Sequence, residues 1–283
     1  MLVNTRNMLR KAKEEGYAVP QFNINNLEWT KYILEVCEEC KSPLILGVSE
    51  GAVKYMGGYK TVYSVVIGVM SDLNITIPVA LHLDHGKSID YCKKAIENGF
   101  TSVMIDSSSY PLDENIRITK DVVAYAHSKG VTVEAEVGHI GGIEDDINGD
   151  NVYAKVGDCI KLVTETGVDS LAPAVGSVHG LYEGEAKIDL ERIRLISEAV
   201  KIPLVLHGGT GIPDQTIIDC IQVGISKINV NTELQVAWAK EIRLFLNNNQ
   251  SVYDPRKIIG SGSDAIKKVV RDKIILFKSH NKA

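Results

Sequence analysis

Short apolar, β-branched runs alternate along the chain with longer stretches whose apolar residues recur at three- and four-residue steps. The short runs predict eight strands, at 17–23, 43–49, 79–85, 102–107, 132–138, 170–176, 204–208 and 227–231. Helix-period stretches fill the gaps at 27–41, 59–74, 89–98, 113–128, 155–166, 190–200 and 213–222, and 233–247 follows the eighth run. Leu190-Glu191-Arg192-Ile193-Arg194-Leu195-Ile196 shows the amphipathic spacing clearly. Gly or Pro stands at many strand entries, among them Gly16, Pro43, Pro78, Gly99, Gly130, Gly167, Pro203 and Gly224.

Strict strand–helix alternation predicts an α/β protein with a parallel sheet and right-handed crossovers. Eight such units close naturally into a (β/α)8 TIM barrel. An open doubly wound sheet is the alternative, but it usually has fewer strands and often a Gly-rich turn after the first, which is absent here. No linker or low-complexity segment divides the chain, so one barrel domain is expected over 1–283, with a C-terminal helical extension from about 233. Active sites of such barrels lie at the C-terminal ends of the strands. Asn23, Ser49, Asp84, His85, Asp106, Glu136, His179, His207 and Asn229 all fall at or just past those ends.

Composition narrows the partners. With 45% hydrophobic and 24% charged residues, the 283-residue chain can bury a sizeable core. A net charge of −5 provides no basic face, which excludes nucleic acid and leaves any anionic substrate to local groups. No apolar stretch reaches membrane-spanning length, and Met1-Leu2-Val3-Asn4-Thr5-Arg6 lacks the apolar region of a secretory signal. Five scattered cysteines suit a reducing cytoplasm. Cys37-Glu38-Glu39-Cys40 has redox spacing, yet it sits late in a helical pattern beside two glutamates, where a thiolate is disfavoured. Packed or surface thiols are expected there.

Three histidines, His85, His179 and His207, each close a β-like run. Three imidazoles with an open fourth position suit a catalytic zinc ion. Asp84 precedes His85 directly, so regular alternation puts the two on opposite faces unless the chain bends, which Gly86 would allow. Asp84 then reads either as a carboxylate exchanging a proton with substrate or as an acceptor for a ligand's N–H. Glu134 and Glu136 share one face of the fifth strand, and Glu136 with Asp106 could form a second metal position. Gly138-His139-Ile140-Gly141-Gly142-Ile143-Glu144-Asp145-Asp146 reads as a mobile acidic loop over the mouth, able to deliver a base, or as a solvated surface loop. Nothing in the sequence assigns His139 a role. The run from His207 through Gly208, Gly209, Thr210 and Gly211 into a helix opened by Pro213 predicts an anion site. Asn229, Val230, Asn231 and Thr232 follow the eighth strand, the other usual phosphate position of a barrel.

In that order these motifs resemble the class II, metal-dependent fructose-bisphosphate aldolases, shorter bacterial-type subgroup. The likeness runs from Tyr17-Ala18-Val19-Pro20-Gln21-Phe22-Asn23 through His82-Leu83-Asp84-His85-Gly86 and Gly176-Ser177-Val178-His179-Gly180 to Tyr253-Asp254-Pro255-Arg256. The resemblance implies a lyase that reversibly cleaves fructose 1,6-bisphosphate to dihydroxyacetone phosphate and glyceraldehyde 3-phosphate, in glycolysis and gluconeogenesis, through a zinc-stabilised enediolate. It implies zinc on His85, His179 and His207, and a second zinc position at Asp106 and Glu136. Asp84 would be the acid/base at the C4 hydroxyl, and Glu144 would remove the proton from dihydroxyacetone phosphate. Gly180, Gly208 to Thr210 and Asn229 to Thr232 would grip its phosphate. Asn23 falls among the implied substrate contacts, and Ser49 and Arg256 would hold the distal phosphate, Arg256 in a neighbouring subunit's site. A cytoplasmic homodimer or homotetramer is therefore implied.

Two departures stand out. Glu183 occupies a position where many relatives carry Lys near the phosphate, which would weaken affinity or require a monovalent cation. Gly180-Leu181-Tyr182 with Lys187-Ile188-Asp189 resembles the sister tagatose-bisphosphate aldolases, whereas Gly208-Gly209-Thr210 and Asn229-Val230-Asn231-Thr232 favour fructose. A Schiff-base aldolase would need a lysine at the mouth; Lys227 opens its strand rather than closing it. A non-catalytic sugar-phosphate sensor could dispense with Asp84 or Glu144, and both are present.

Overall fold

Eight parallel strands close into a barrel in a computed structural model that describes residues 2–144, 147–149, 152–180 and 186–283. In chain order they are β1 (Val19–Asn23), β2 (Leu44–Ser49), β3 (Val79–Gly86), β4 (Ser102–Ile105), β5 (Thr132–Val137), β8 (Ser170–Pro173), β9 (Leu204–Leu206) and β10 (Ile225–Val230). A two-stranded antiparallel hairpin, β6 (Gly142–Glu144) and β7 (Ile147–Gly149), lies between β5 and β8. The predicted eight-strand barrel is therefore what forms. β1 closes it by pairing with β10, Gln21 opposite Asn229.

Several strands stop short of the apolar runs that announced them. β8 ends at Pro173, whose missing N–H cannot extend a ladder, and β4 ends before Asp106. Beyond β4 come Asp106, Ser107 and Ser108, and beyond β8 the chain passes through buried Ala174 and Val175 before it reaches His179. The acidic glycine loop is another difference: its residues 142–144 pair with 147–149 as the β6–β7 hairpin. Residues 145 and 146 lie outside the described residues.

Alternation divides each strand between two cores. Phe22, Leu81, Leu83, Val133, Ala135, Ile228 and Val230 point outward into the apolar layer shared with the surrounding helices. Inside the lower barrel, Val19, Ile45 and Ala80 pack with Met8, Leu9 and Ala12 of α1 (Arg6–Glu15) and with Tyr17. This helix, not foreseen from the sequence, seals the end remote from the site. The interhelical units carry their own start signals: Asn26 caps α2 (Leu27–Glu39) by accepting from the Trp29 N–H, and Ser49 caps α3 (Glu50–Tyr55) by accepting from Ala52. The later crossovers run through α4 (Tyr59–Asp72), α5 (Ile89–Glu97), α6 (Leu112–Ser128), α7 (Val156–Thr166), α8 (Leu190–Val200) and α9 (Asp214–Gln222); after β10 come α10 (Thr232–Asn248), α11 (Pro255–Gly260) and α12 (Ser263–Leu276), the last packing on α2 and α10. No helix among the described residues is long and apolar enough to cross a membrane.

Candidate metal centre and anion site

His85 is the penultimate residue of β3, His179 follows β8, and His207 follows β9. Their ring centroids lie 4.7 Å apart for His85 and His207, 4.9 Å for His85 and His179, and 5.8 Å for His179 and His207. One ligand atom from each lies within 4.8 Å of the others. His85 Nε2 faces His207 Nδ1 at 2.9 Å. All three are buried, and neither ring nitrogen of His179 has a hydrogen-bond partner. Burial of unpartnered imidazole nitrogens is costly unless something binds them. The three sites that the sequence scatters over more than 120 positions thus converge, with the donor set and orphaned atoms of a zinc site.

The bend that brings Asp84 and His85 to one site is made differently from expectation. His85 itself takes the left-handed conformation, φ 50°, and the β3–β4 register shifts between Leu83 and Gly86. Gly86 is needed for space instead: a Cβ there would lie 2.7 Å from the Met104 carbonyl.

A second cluster shares His85. Its Nδ1 lies 2.9 Å from Asp106 Oδ2, and His85, Asp106 and Glu136 also place ligand atoms within 4.8 Å of one another. Ser108 donates to Asp106 Oδ1 from its hydroxyl at 2.8 Å and its N–H at 3.1 Å. The Ile140 N–H donates to Glu136 Oε1, and Glu136 Oε2 is buried without a partner.

Electrostatics follow from this crowding. Burial works against a proton on His85, yet the bond to Asp106 and the charges of Asp84, Asp106 and Glu136 raise its pKa to about 10. Burial and the Asp106 charge push Glu136 well above the usual carboxylate range. Burial, then His85 and His207, pushes His179 well below the usual imidazole range. Burial likewise lowers His207, despite its bond to Glu134. Both upward shifts favour the protonated form in a cluster where a bound divalent cation would supply the balancing charge.

Asp84 stands beside the triad with Asn23 donating to Oδ2 at 2.8 Å and Asn229 to Oδ1 at 3.4 Å. Burial opposes its ionisation, but His85, His207 and Lys227 outweigh it and hold the carboxyl far below its ordinary range. Asp84 is thus an oriented, ionised carboxylate.

Gly180, Gly208, Gly209, Thr210, Asn231 and Thr232 line the same recess as Asn23, Asp84, Asn229 and the triad. At Gly208, φ is 66° and a Cβ would lie 2.1 Å from the Val178 carbonyl, so only glycine lets this turn pack against the segment carrying His179. Pro213 is the N-cap of α9 (Asp214–Gln222), one position earlier than its expected place inside the helix. Val230 turns its side chain into the outer core, away from the recess. Ser49 lines an adjoining cavity of about 580 Å³ with Asn23, Trp29, Tyr55, Asn231 and Trp238. Arg256 is not brought to the recess: its side chain is 88% exposed and pairs with Asp254 at 2.8 Å. Glu144 lies on β6, whose Gly142 bridges to His179, while Glu183 lies outside the described residues.

The family model of fructose-bisphosphate aldolase class-II matches residues 3–282. The chain belongs to the class-II fructose-bisphosphate aldolase family. A fructose-bisphosphate aldolase of Geobacillus stearothermophilus is 58% identical over 283 residues, 100% of this chain and 99% of that protein. One of Staphylococcus aureus is 56% identical with the same coverage. Among solved structures, the YdjI aldolase of Escherichia coli K12 superposes with a TM-score of 0.86 at 33% identity, covering 100% of both chains. A putative fructose-1,6-biphosphate aldolase from Coccidioides immitis gives 0.89 at 28%, covering 98% of this chain and 96% of that one.

Class-II fructose-bisphosphate aldolases are lyases. Sequence reasoning missed one part of this aldolase site. Lys227, read only as opening its strand, is fully buried within the barrel and donates to Glu134 at 2.6 Å. Its signal was available: in Ile225-Ser226-Lys227-Ile228-Asn229-Val230, Lys227 shares the inward face with Asn229.

Proposed function

We propose that this class-II aldolase reversibly cleaves fructose 1,6-bisphosphate to dihydroxyacetone phosphate and glyceraldehyde 3-phosphate, as a cytoplasmic enzyme whose barrel and C-terminal helices form one domain. The observation that carries the reading is the buried triad with both His179 nitrogens unpartnered, set beside an ionised Asp84 held by two amides. His85, His179 and His207 would hold zinc, and Asp106 with Glu136 a second zinc position. When bound, the ion supplies Lewis acidity toward a ketose carbonyl and its neighbouring hydroxyl.

The chain's own groups then divide the proton work. Asp84 accepts the proton of the C4 hydroxyl as the C3–C4 bond breaks, and returns it in condensation. Glu144, on the hairpin that abuts His179, exchanges the proton on the hydroxymethyl carbon of dihydroxyacetone phosphate, the former C3 of the hexose. Gly180, Gly208, Gly209 and Thr210 with Asn229, Val230, Asn231 and Thr232 hold that phosphate by amide and hydroxyl donors, aided by a monovalent cation that offsets the added negative charge of Glu183. Asn23 orients Asp84, and Ser49 holds the distal phosphate in the adjoining cavity. Arg256, remote from its own recess, would reach the site of a second copy, which makes the enzyme a homodimer or homotetramer.

Tagatose 1,6-bisphosphate differs only in configuration at C4, the centre Asp84 addresses. Because Asn23 and Asn229 fix the carboxylate, the epimer's hydroxyl would be misdirected. Cleavage rates of the two bisphosphates, with and without EDTA, test this. Fast fructose turnover, abolished by EDTA and restored by zinc, is expected. Equal or faster tagatose turnover would overturn the substrate, and turnover that survives full metal removal would overturn the metal mechanism.

A further inference from the structure

We propose that Glu134 and Lys227 are positioning residues that lock the His207 ring in the one tautomer able to present Nδ1 to the centre of the triad. The inference rests on the reading that the triad holds a divalent cation. Glu134 lies midway along β5 and Lys227 midway along β10, both inside the barrel and both sealed from solvent, at 2% and 0% exposure. Lys227 Nζ donates to Glu134 Oε2 at 2.6 Å, and the Ser170 hydroxyl approaches the same oxygen at 3.5 Å. That leaves Glu134 Oε1 facing His207 Nε2 at 2.9 Å.

Barrel interiors at this level are ordinarily filled with Val, Ile and Leu. A buried ion pair contributes little fold stability over apolar residues of similar size, so packing alone does not account for this one. Its geometry supplies another use. With Oε2 occupied by donors, the carboxylate accepts through Oε1, and the proton of the neutral His207 ring must reside on Nε2. The lone pair is then on Nδ1, the atom 2.9 Å from His85 Nε2. Rotating the ring would give up the Glu134 bond, and both partners are sealed from bulk solvent. Carboxylates behind a metal-bound histidine typically affect metal affinity 10–100-fold.

The test compares zinc affinity, by competition with a chromophoric chelator, in the full-length protein and two double variants, with circular dichroism to verify folding. Glu134→Leu with Lys227→Met removes the acceptor and both charges together. It should fold and bind zinc about 10–100-fold more weakly. Glu134→Gln with Lys227→Met keeps an acceptor oxygen toward His207 and should bind close to the unaltered protein. Equal affinity in the Leu/Met variant would overturn the proposal while leaving the metal reading intact. Absence of zinc binding by the unaltered protein would overturn both. The ring-nitrogen NMR signals of ¹⁵N-labelled His207 in the unaltered, metal-free protein give a readout independent of how the variants fold. A proton on Nε2 is expected, and one on Nδ1 sinks the proposal.

Discussion

Glu38, near the C-terminal end of α2, is held as an anion where the helix dipole alone would disfavour one. It pairs with Lys41 and accepts from the Thr76 N–H at 2.7 Å, the Thr76 hydroxyl at 2.7 Å and the Ile77 N–H at 3.2 Å. Burial opposes its charge, but these donors lower its pKa to about 2. The folded value lies below the unfolded one, so Glu38 contributes its full stability above the ordinary glutamate pKa of about 4.3 and loses it as pH falls toward about 2. Glu38→Gln should cost roughly 1–2 kcal/mol near neutrality. In denaturant titrations from pH 7 to pH 3 the gap to the unaltered protein should narrow on the acid side; a gap independent of pH would refute the assignment. The neighbouring thiols agree with the reading of Cys37-Glu38-Glu39-Cys40 as packed. Burial raises the Cys37 thiol well above its usual range and also raises Cys40, which removes the nucleophilic thiolate a redox pair needs.

Among elements, the β6–β7 hairpin couples the mouth of the barrel to the triad through one glycine. Gly142 has φ 107°, and a Cβ there would lie 2.2 Å from the carbonyl oxygen and 2.6 Å from the nitrogen of His179. The His179 N–H also donates to the Gly141 carbonyl at 2.8 Å. Gly142→Ala must therefore move either the hairpin or His179. Zinc affinity and kcat should both fall by at least about tenfold, the lower end for disturbed support of a ligand; unchanged zinc affinity would show that the hairpin yields instead. All eight barrel strands were legible as apolar, β-branched runs set between helix-period stretches, and so were the helices between them except the six-residue α3. The triad was legible because its histidines follow apolar runs. The hairpin was not, since its glycine-bearing strands, Gly142-Ile143-Glu144 and Ile147-Asn148-Gly149, lack the continuous apolar run that marks the barrel strands. Nor was α1, whose three buried residues find their partners on β1, β2 and β3. The Glu134–Lys227 pair joins residues 93 apart, on strands that do not pair in the barrel; alternation gives each its inward face but not its partner.

Taken whole, the barrel grades from oil to charge along its axis. Val19, Ile45 and Ala80 pack against α1 at the bottom, Gln21, His82, Glu134 and Lys227 occupy the middle, and the triad with Asp84, Asp106 and Glu136 forms the top. The polar upper half is satisfied only in part by its own residues: His179 Nδ1 and Nε2, Glu136 Oε2, Asn229 Oδ1 and His82 Nε2 are all buried without partners. Such atoms cost about 1–3 kcal/mol each when nothing meets them. A cation that binds only the folded barrel relieves part of that cost. At a free concentration 1,000 times its dissociation constant it stabilises the fold by about 4 kcal/mol. For a domain of this size that corresponds to roughly 10 °C in Tm. Exhaustive chelation should therefore lower Tm by about that amount in calorimetry. Added zinc should restore it, with a midpoint that rises as the logarithm of free zinc. Thermograms that coincide with and without metal would mean that the top of the barrel is held by its own hydrogen bonds, and that the unpartnered imidazole nitrogens do not mark an ion's place.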